Sequence, residues 1–208
     1  MVPMSRALSC VLFVLVVLVA GACGGGNDSA AKPPAAAGGN EPASAPVCPP
    51  TWRTGWQRLA DRIDAPVYCP SWLPDPLTGE LRGPWHAMNS VLDDRSYLMG
   101  FLWYEPNAAE VHVNLRGYPG MTGIPSCNGR PCFNDPGPEK QIAGLDVQVY
   151  TVNRGADTWH VLYAWKDDGS LYTVSQHVVP ALGESYARVT ANLDRIVRGL
   201  VRITPQQS

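Results

Sequence analysis

The sequence predicts an α+β domain: an antiparallel sheet of about six to seven strands with an N-terminal and a C-terminal helix packed on one face. Three patterns predict it. Trp52, Trp56, Leu59 and Ile63 recur at helical spacing. Val111, Val113 and Leu115 alternate with His112, Asn114 and Arg116, the period of a half-buried strand. Tyr186, Val189, Leu193, Ile196, Val197 and Leu200 form a continuous helical stripe near the end of the chain.

The first helix is expected from Thr51 to Ile63, with Arg53, Arg58, Asp61 and Arg62 on its wet side. Asp64-Ala65-Pro66 ends it, because the residue before proline avoids the helical region. The strands follow. Ser96–Tyr104 is rich in aromatic and aliphatic residues, and Asp146–Val152 is a similar segment. Thr158–Trp165 and Leu171–Val178 are joined through Lys166-Asp167-Asp168-Gly169, and Asp-Gly between two strand-like runs signals a hairpin. The last helix is expected from Ser185 to Val201. Arg188, Arg195, Arg198 and Arg202 lie opposite its stripe, and Glu184 near its start suits the helix dipole.

Residues 1–22 read as a processing segment. Arg6 is the positive n-region, and Ala7–Ala20 is an uncharged, almost wholly apolar run. As a helix that run would reach only roughly 21 Å, short of a hydrocarbon core of ~30 Å. Ala20-Gly21-Ala22-Cys23 resembles the bacterial lipobox, in which signal peptidase cuts before a cysteine that carries lipid. The resemblance implies lipidation at Cys23 and a place on the extracytoplasmic face of a cell membrane. Residues 23–47 hold the lipidated cysteine and then Gly, Ala, Pro, Ser and Asn with hardly any large apolar side chain, the composition of a disordered tether. The single folded domain is expected over 48–208, where all seven tryptophans lie.

Removing the leader deletes one charged residue, Arg6, and takes the net charge from the −2 of the whole chain to about −3. That balance gives no reason to expect nucleic-acid binding. Four cysteines remain beyond Cys23: Cys48, Cys69, Cys127 and Cys132. An even number in an exported chain implies disulfides, and three pairings are open. Cys48–Cys69 with Cys127–Cys132 closes the shortest loops. A four-cysteine zinc site is the alternative, and the spacings lack its paired C-x-x-C knuckles.

Val67-Tyr68-Cys69-Pro70-Ser71-Trp72-Leu73-Pro74 resembles the "Val-Tyr-x-Pro-x-x-Leu-Pro" opening of an uncharacterised domain of bacterial envelope lipoproteins and anti-sigma-factor-associated proteins. Trp165 through Asp168-Gly169 to Tyr172, followed by a terminal helix, resembles the end of that domain, so the likeness covers roughly residues 66–202. The family usually has Gly just after Leu-Pro, where Asp75-Pro76-Leu77-Thr78-Gly79 stands here. The resemblance implies no catalytic residues.

The chemistry-bearing residues are sparse. His86, His112, His160 and His177 show neither H-E-x-x-H nor H-x-H spacing, and each reads as an ordinary strand or loop histidine. His112 and His160 would have to approach across strands to act together. No metal site and no cofactor is expected. A G-x-S-x-G elbow and a phosphate loop are absent from the sequence. Asp93-Asp94 and Asp167-Asp168 read as solvated turns.

The unusual segment is Gly117–Lys140, crowded with Gly and Pro and holding two close cysteines. Loops this long inside compact domains are usually functional or disordered. A Cys127–Cys132 staple would present Asn128, Arg130 and Phe133 as an exposed binding tip. The expected function is therefore a non-enzymatic lipoprotein binding an envelope protein or cell-wall component. The alternatives are a carrier or sensor of an apolar, lipid-like ligand, which needs an open cavity, and an enzyme, which needs a cleft joining a histidine to a carboxylate.

Overall fold

The computed structural model describes residues 45–77, 88–104, 110–156 and 158–206, all within one compact unit, Ala43–Ser208. The leader, Cys23, most of the tether and His86 lie outside the described residues.

Helix α1 runs Pro50–Ile63 and opens on Pro50 at its first turn, where a missing N–H is harmless. Trp52, Trp56, Leu59, Ala60 and Ile63 are its buried face, as the spacing predicts. Asp64 closes it in the left-handed region, its N–H bonding back to the Ala60 and Asp61 carbonyls.

The strands are β1 Val67–Pro70, β2 Met88–Val91, β3 Tyr97–Tyr104, β4 Glu110–Tyr118, β5 Ser126–Cys127, β6 Arg130–Pro131, β7 Asp135–Ile142, β8 Leu145–Val152, β9 Trp159–Asp167, β10 Ser170–Val178 and β11 Leu200–Ile203. Seven form one antiparallel sheet in the order β2-β3-β4-β10-β9-β8-β7. The domain is therefore sheet-rich rather than an even mixture of helix and strand. The β9–β10 hairpin turns at Asp168 and Gly169, both with positive φ, the geometry that Asp-Gly adopts between twisted strands.

Three segments differ from the sequence expectation. The last helix, α2, is Tyr186–Arg198, capped by the Ser185 side chain, which accepts from Arg188 N. Gly199 ends it, and Leu200 and Val201 belong to β11, which pairs with β1. The apolar stripe runs through both elements, so periodicity alone does not reveal the break. Asp135–Lys140 is edge strand rather than loop: Pro136 and Pro138 are tolerated at a sheet edge, with a register shift between Pro136 and Glu139. Asp167-Asp168 is more than a solvated turn. Arg202 on β11 donates to both carboxylates at 2.8 and 2.9 Å, and Tyr68 on β1 donates to Asp167 at 2.7 Å. These bonds tie the β1–β11 ribbon to the central hairpin.

One core holds the buried residues of α1 and α2 together with one face of the sheet, including Tyr97, Met99, Phe101, Val113, Leu115, Val149, Tyr163 and Val174. Trp52 stacks on Phe101 with ring centroids 5.2 Å apart. Polar contacts fix α2: Lys140 Nζ donates to Asp194 at 2.8 Å and to the Tyr163 hydroxyl at 2.7 Å, and that hydroxyl donates to Asp194 at 2.7 Å. Buried Gln176 accepts from Asn192 on the same helix. Cys48–Cys69 joins the segment before α1 to β1, with both residues buried.

Candidate functional site on the outer sheet face

Side chains alternate across a sheet, so the residues between the core positions face the other way. On the central strand β10 these are Leu171, Thr173, Ser175 and His177. Beside them stand His160, Leu162 and Ala164 on β9, and His112, Asn114, Arg116 and Tyr118 on β4. This outer face divides into two regions.

The first lies under the stapled loop. Cys127 and Cys132 form a disulfide with a Cα–Cα distance of 4.8 Å, so both pairings have the shortest-loop form. β5 pairs with β6 across Asn128 and Gly129, which both adopt positive φ. Cys132 N donates to the Pro125 carbonyl at 2.9 Å, closing the base of the loop. Asn128 and Arg130 are exposed at the tip, as the sequence predicts. Phe133 is not: it is 4 % exposed. It packs with Leu162, Ala164 and Leu171 and meets Tyr150 edge-on at 4.8 Å between centroids. The expectation of Phe133 as an exposed anchor is corrected on physical grounds. The sheet carries an apolar patch here, and Phe133 buries its ring on it. Phe133 therefore holds the loop down while Asn128 and Arg130 are held out.

Grooves run beside this loop. One of about 810 Å³ is lined by Ile124, Phe133, Tyr150, Leu171, Lys140 and Asp146 among others. Another, of about 450 Å³, is bounded by Leu98, Arg116, Tyr118, Met121 and the disulfide.

The second region is a row of histidines. His160 on β9 is registered opposite His177 on β10. The β10–β4 register pairs Gln176 with Val113, and one step further sets His177 beside His112. Val152 on β8 and Leu102 on β3 close the row at its two ends. Ring centroids are 3.8 Å apart for His112–His177, 4.0 Å for His160–His177 and 5.2 Å for His112–His160. His160 Nε2 lies 3.2 Å from His112 Nε2. One nitrogen of each ring falls within 4.8 Å of the others, with no carboxylate in the group. His177 is buried, and His112 and His160 are half-buried.

Burial, His177, His112 and the Arg116 cation, in that order, push His160 from an ordinary 6.5 down to about 3. The imidazole is therefore held neutral at physiological pH, the form in which histidine is a metal ligand.

Comparison with known proteins finds no matching family model, no matching curated protein and no matching solved structure. Among the described residues, no helix is long and apolar enough to cross a membrane.

The spacing of the four histidines gives no metal site, whereas the sheet register brings three of them together. The signal that finds this pair of strands is local. A two-residue turn at Asp168-Gly169 fixes the hairpin register, and counting back along both strands sets His160 opposite His177. The third partner, His112, comes from a strand about fifty residues earlier and needs the non-local β4–β10 pairing.

Proposed function

We propose that this chain is a lipid-anchored extracytoplasmic domain, non-enzymatic, that binds an envelope protein or cell-wall component through its stapled loop. The observation that carries the reading is the division of labour within that loop. Phe133 is buried in the sheet, the disulfide closes the base, and Asn128 and Arg130 project into solvent. A loop ordered before it binds loses less conformational entropy on binding. The planar guanidinium of Arg130 suits carboxylate or carbonyl partners.

The address rests on the lipobox-like Ala20-Gly21-Ala22-Cys23 and on the tether that follows it. The interior favours this reading over an internal lipid carrier. Trp52, Trp56, Tyr163 and Tyr172 fill the space between the helices and the sheet. The groove beside Phe133, at about 810 Å³, supports a second reading, a small partly apolar ligand bound at the surface.

A photoreactive residue at position 130, irradiated in intact cells, tests the first reading. A discrete adduct is expected from 130. Adducts only from positions 112 or 160 would move recognition to the sheet face and overturn the loop.

A further inference from the structure

Three imidazoles side by side on adjacent strands make an unusual set of neighbours. Each ring presents one nitrogen with a lone pair and one N–H when neutral. Rings directly opposite each other in a sheet are held by the backbone at ~4.5–5.5 Å between Cβ atoms, so the cluster does not depend on a mobile loop. Rigid elements hold ligands more precisely than loops do.

We propose that His112, His160 and His177 bind one divalent transition-metal ion of the zinc or copper(II) type through three ring nitrogens, leaving a fourth position open. Bonds of ~2.0–2.1 Å in a tetrahedron set two ligand nitrogens about 3.3 Å apart. The His160–His112 separation is 3.2 Å, and all three donor atoms lie within 4.8 Å. Tetrahedral ligation then requires the His177 ring to turn toward the other two.

The donor set decides the ion. It offers imidazole nitrogen alone, with neither the oxygens that calcium and magnesium require nor a thiolate for copper(I). Three protein ligands with a free position is the arrangement of zinc sites that take up an exogenous ligand, whereas closed structural sites use four. Val152 and Leu102 flank the row and keep its ends apolar. The inference concerns an ion on the sheet and does not rest on the loop as a recognition element.

The test uses the full chain in detergent, stripped with a chelator and titrated with zinc and with cobalt(II). One ion per chain is expected. His112→Gln, His160→Gln and His177→Gln should each weaken it by more than ~100-fold, beyond the 10–100-fold that outer-shell changes cost. Cobalt should give tetrahedral d–d bands without a sulfur charge-transfer band. Wild-type protein alone provides a second measurement, independent of how the variants fold: zinc-edge absorption should return nitrogen neighbours at about 2.0–2.1 Å. Absence of binding, affinity unchanged in all three variants, or sulfur neighbours at about 2.3 Å would overturn the proposal.

Discussion

His112 and His160 point their Nε2 atoms at each other, 3.2 Å apart, from strands that are not neighbours: β10 runs between them and places His177 in the gap. Protonating His160 places a cation against His177 and His112 and within the field of the Arg116 cation. The His160 value of about 3 in the folded chain lies below its unfolded 6.5. The unfolded chain therefore takes up protons first as pH falls. Stability should be full above pH 6.5 and decline as pH drops from there toward 3. Chelator-treated protein melted across that range should show this decline, and His160→Gln should flatten it between pH 6.5 and 5. Equal slopes for the two proteins would mean that His160 titrates normally.

Phe133 and Arg130 should behave oppositely although they are three residues apart. Phe133→Ala empties a site bounded by Leu162, Leu171 and Tyr150, and should cost ~3–5 kcal/mol in denaturant melts. Arg130→Ala is a surface change and should stay within about 0.5 kcal/mol. Similar costs for the two would mean that the loop does not rest on the sheet.

Leu193 is fully buried at the centre of the α2 stripe. Leu193→Ala should cost ~2–5 kcal/mol through the cavity it leaves. A loss below about 0.5 kcal/mol would mean that α2 does not pack on the core.

The two disulfides should contribute unequally. Cys48–Cys69 closes a 21-residue separation and Cys127–Cys132 closes five. Loop entropy gives about 3 and about 2 kcal/mol respectively. Replacing Cys48 and Cys69 by Ala should therefore lower the unfolding free energy more than replacing Cys127 and Cys132. The reverse order would point to the stapled loop as the greater restraint.

Much of this fold is legible in the sequence because local patterns and tertiary packing agree. Trp52 to Ile63 reads as a helix and is one, since its apolar spacing matches the face that packs. The β9–β10 hairpin is equally plain, since Asp168-Gly169 carries the positive φ that the turn requires. Where local signals conflict, the reading is incomplete. Leu200 continues the helical stripe in sequence, yet Gly199 releases the chain into a strand. Pro136 and Pro138 read as loop, and only a place at the sheet edge makes them strand residues. Phe133 looks like an exposed anchor until the apolar patch of Leu162 and Leu171 is known to lie beneath it. The histidine row is half legible, through the hairpin that aligns His160 with His177. His112 joins through strand order, which a pattern of alternation does not encode.

A chain tethered through Cys23 outside the cytoplasm, as proposed, carries lipid at that residue. Metabolic labelling of growing cells with an alkyne fatty acid measures this directly. Wild-type protein should take up the label and fractionate with membranes, and Cys23→Ala should do neither. Equal labelling of the two proteins, or no labelling of the wild type, would contradict the tether and the extracytoplasmic address with it.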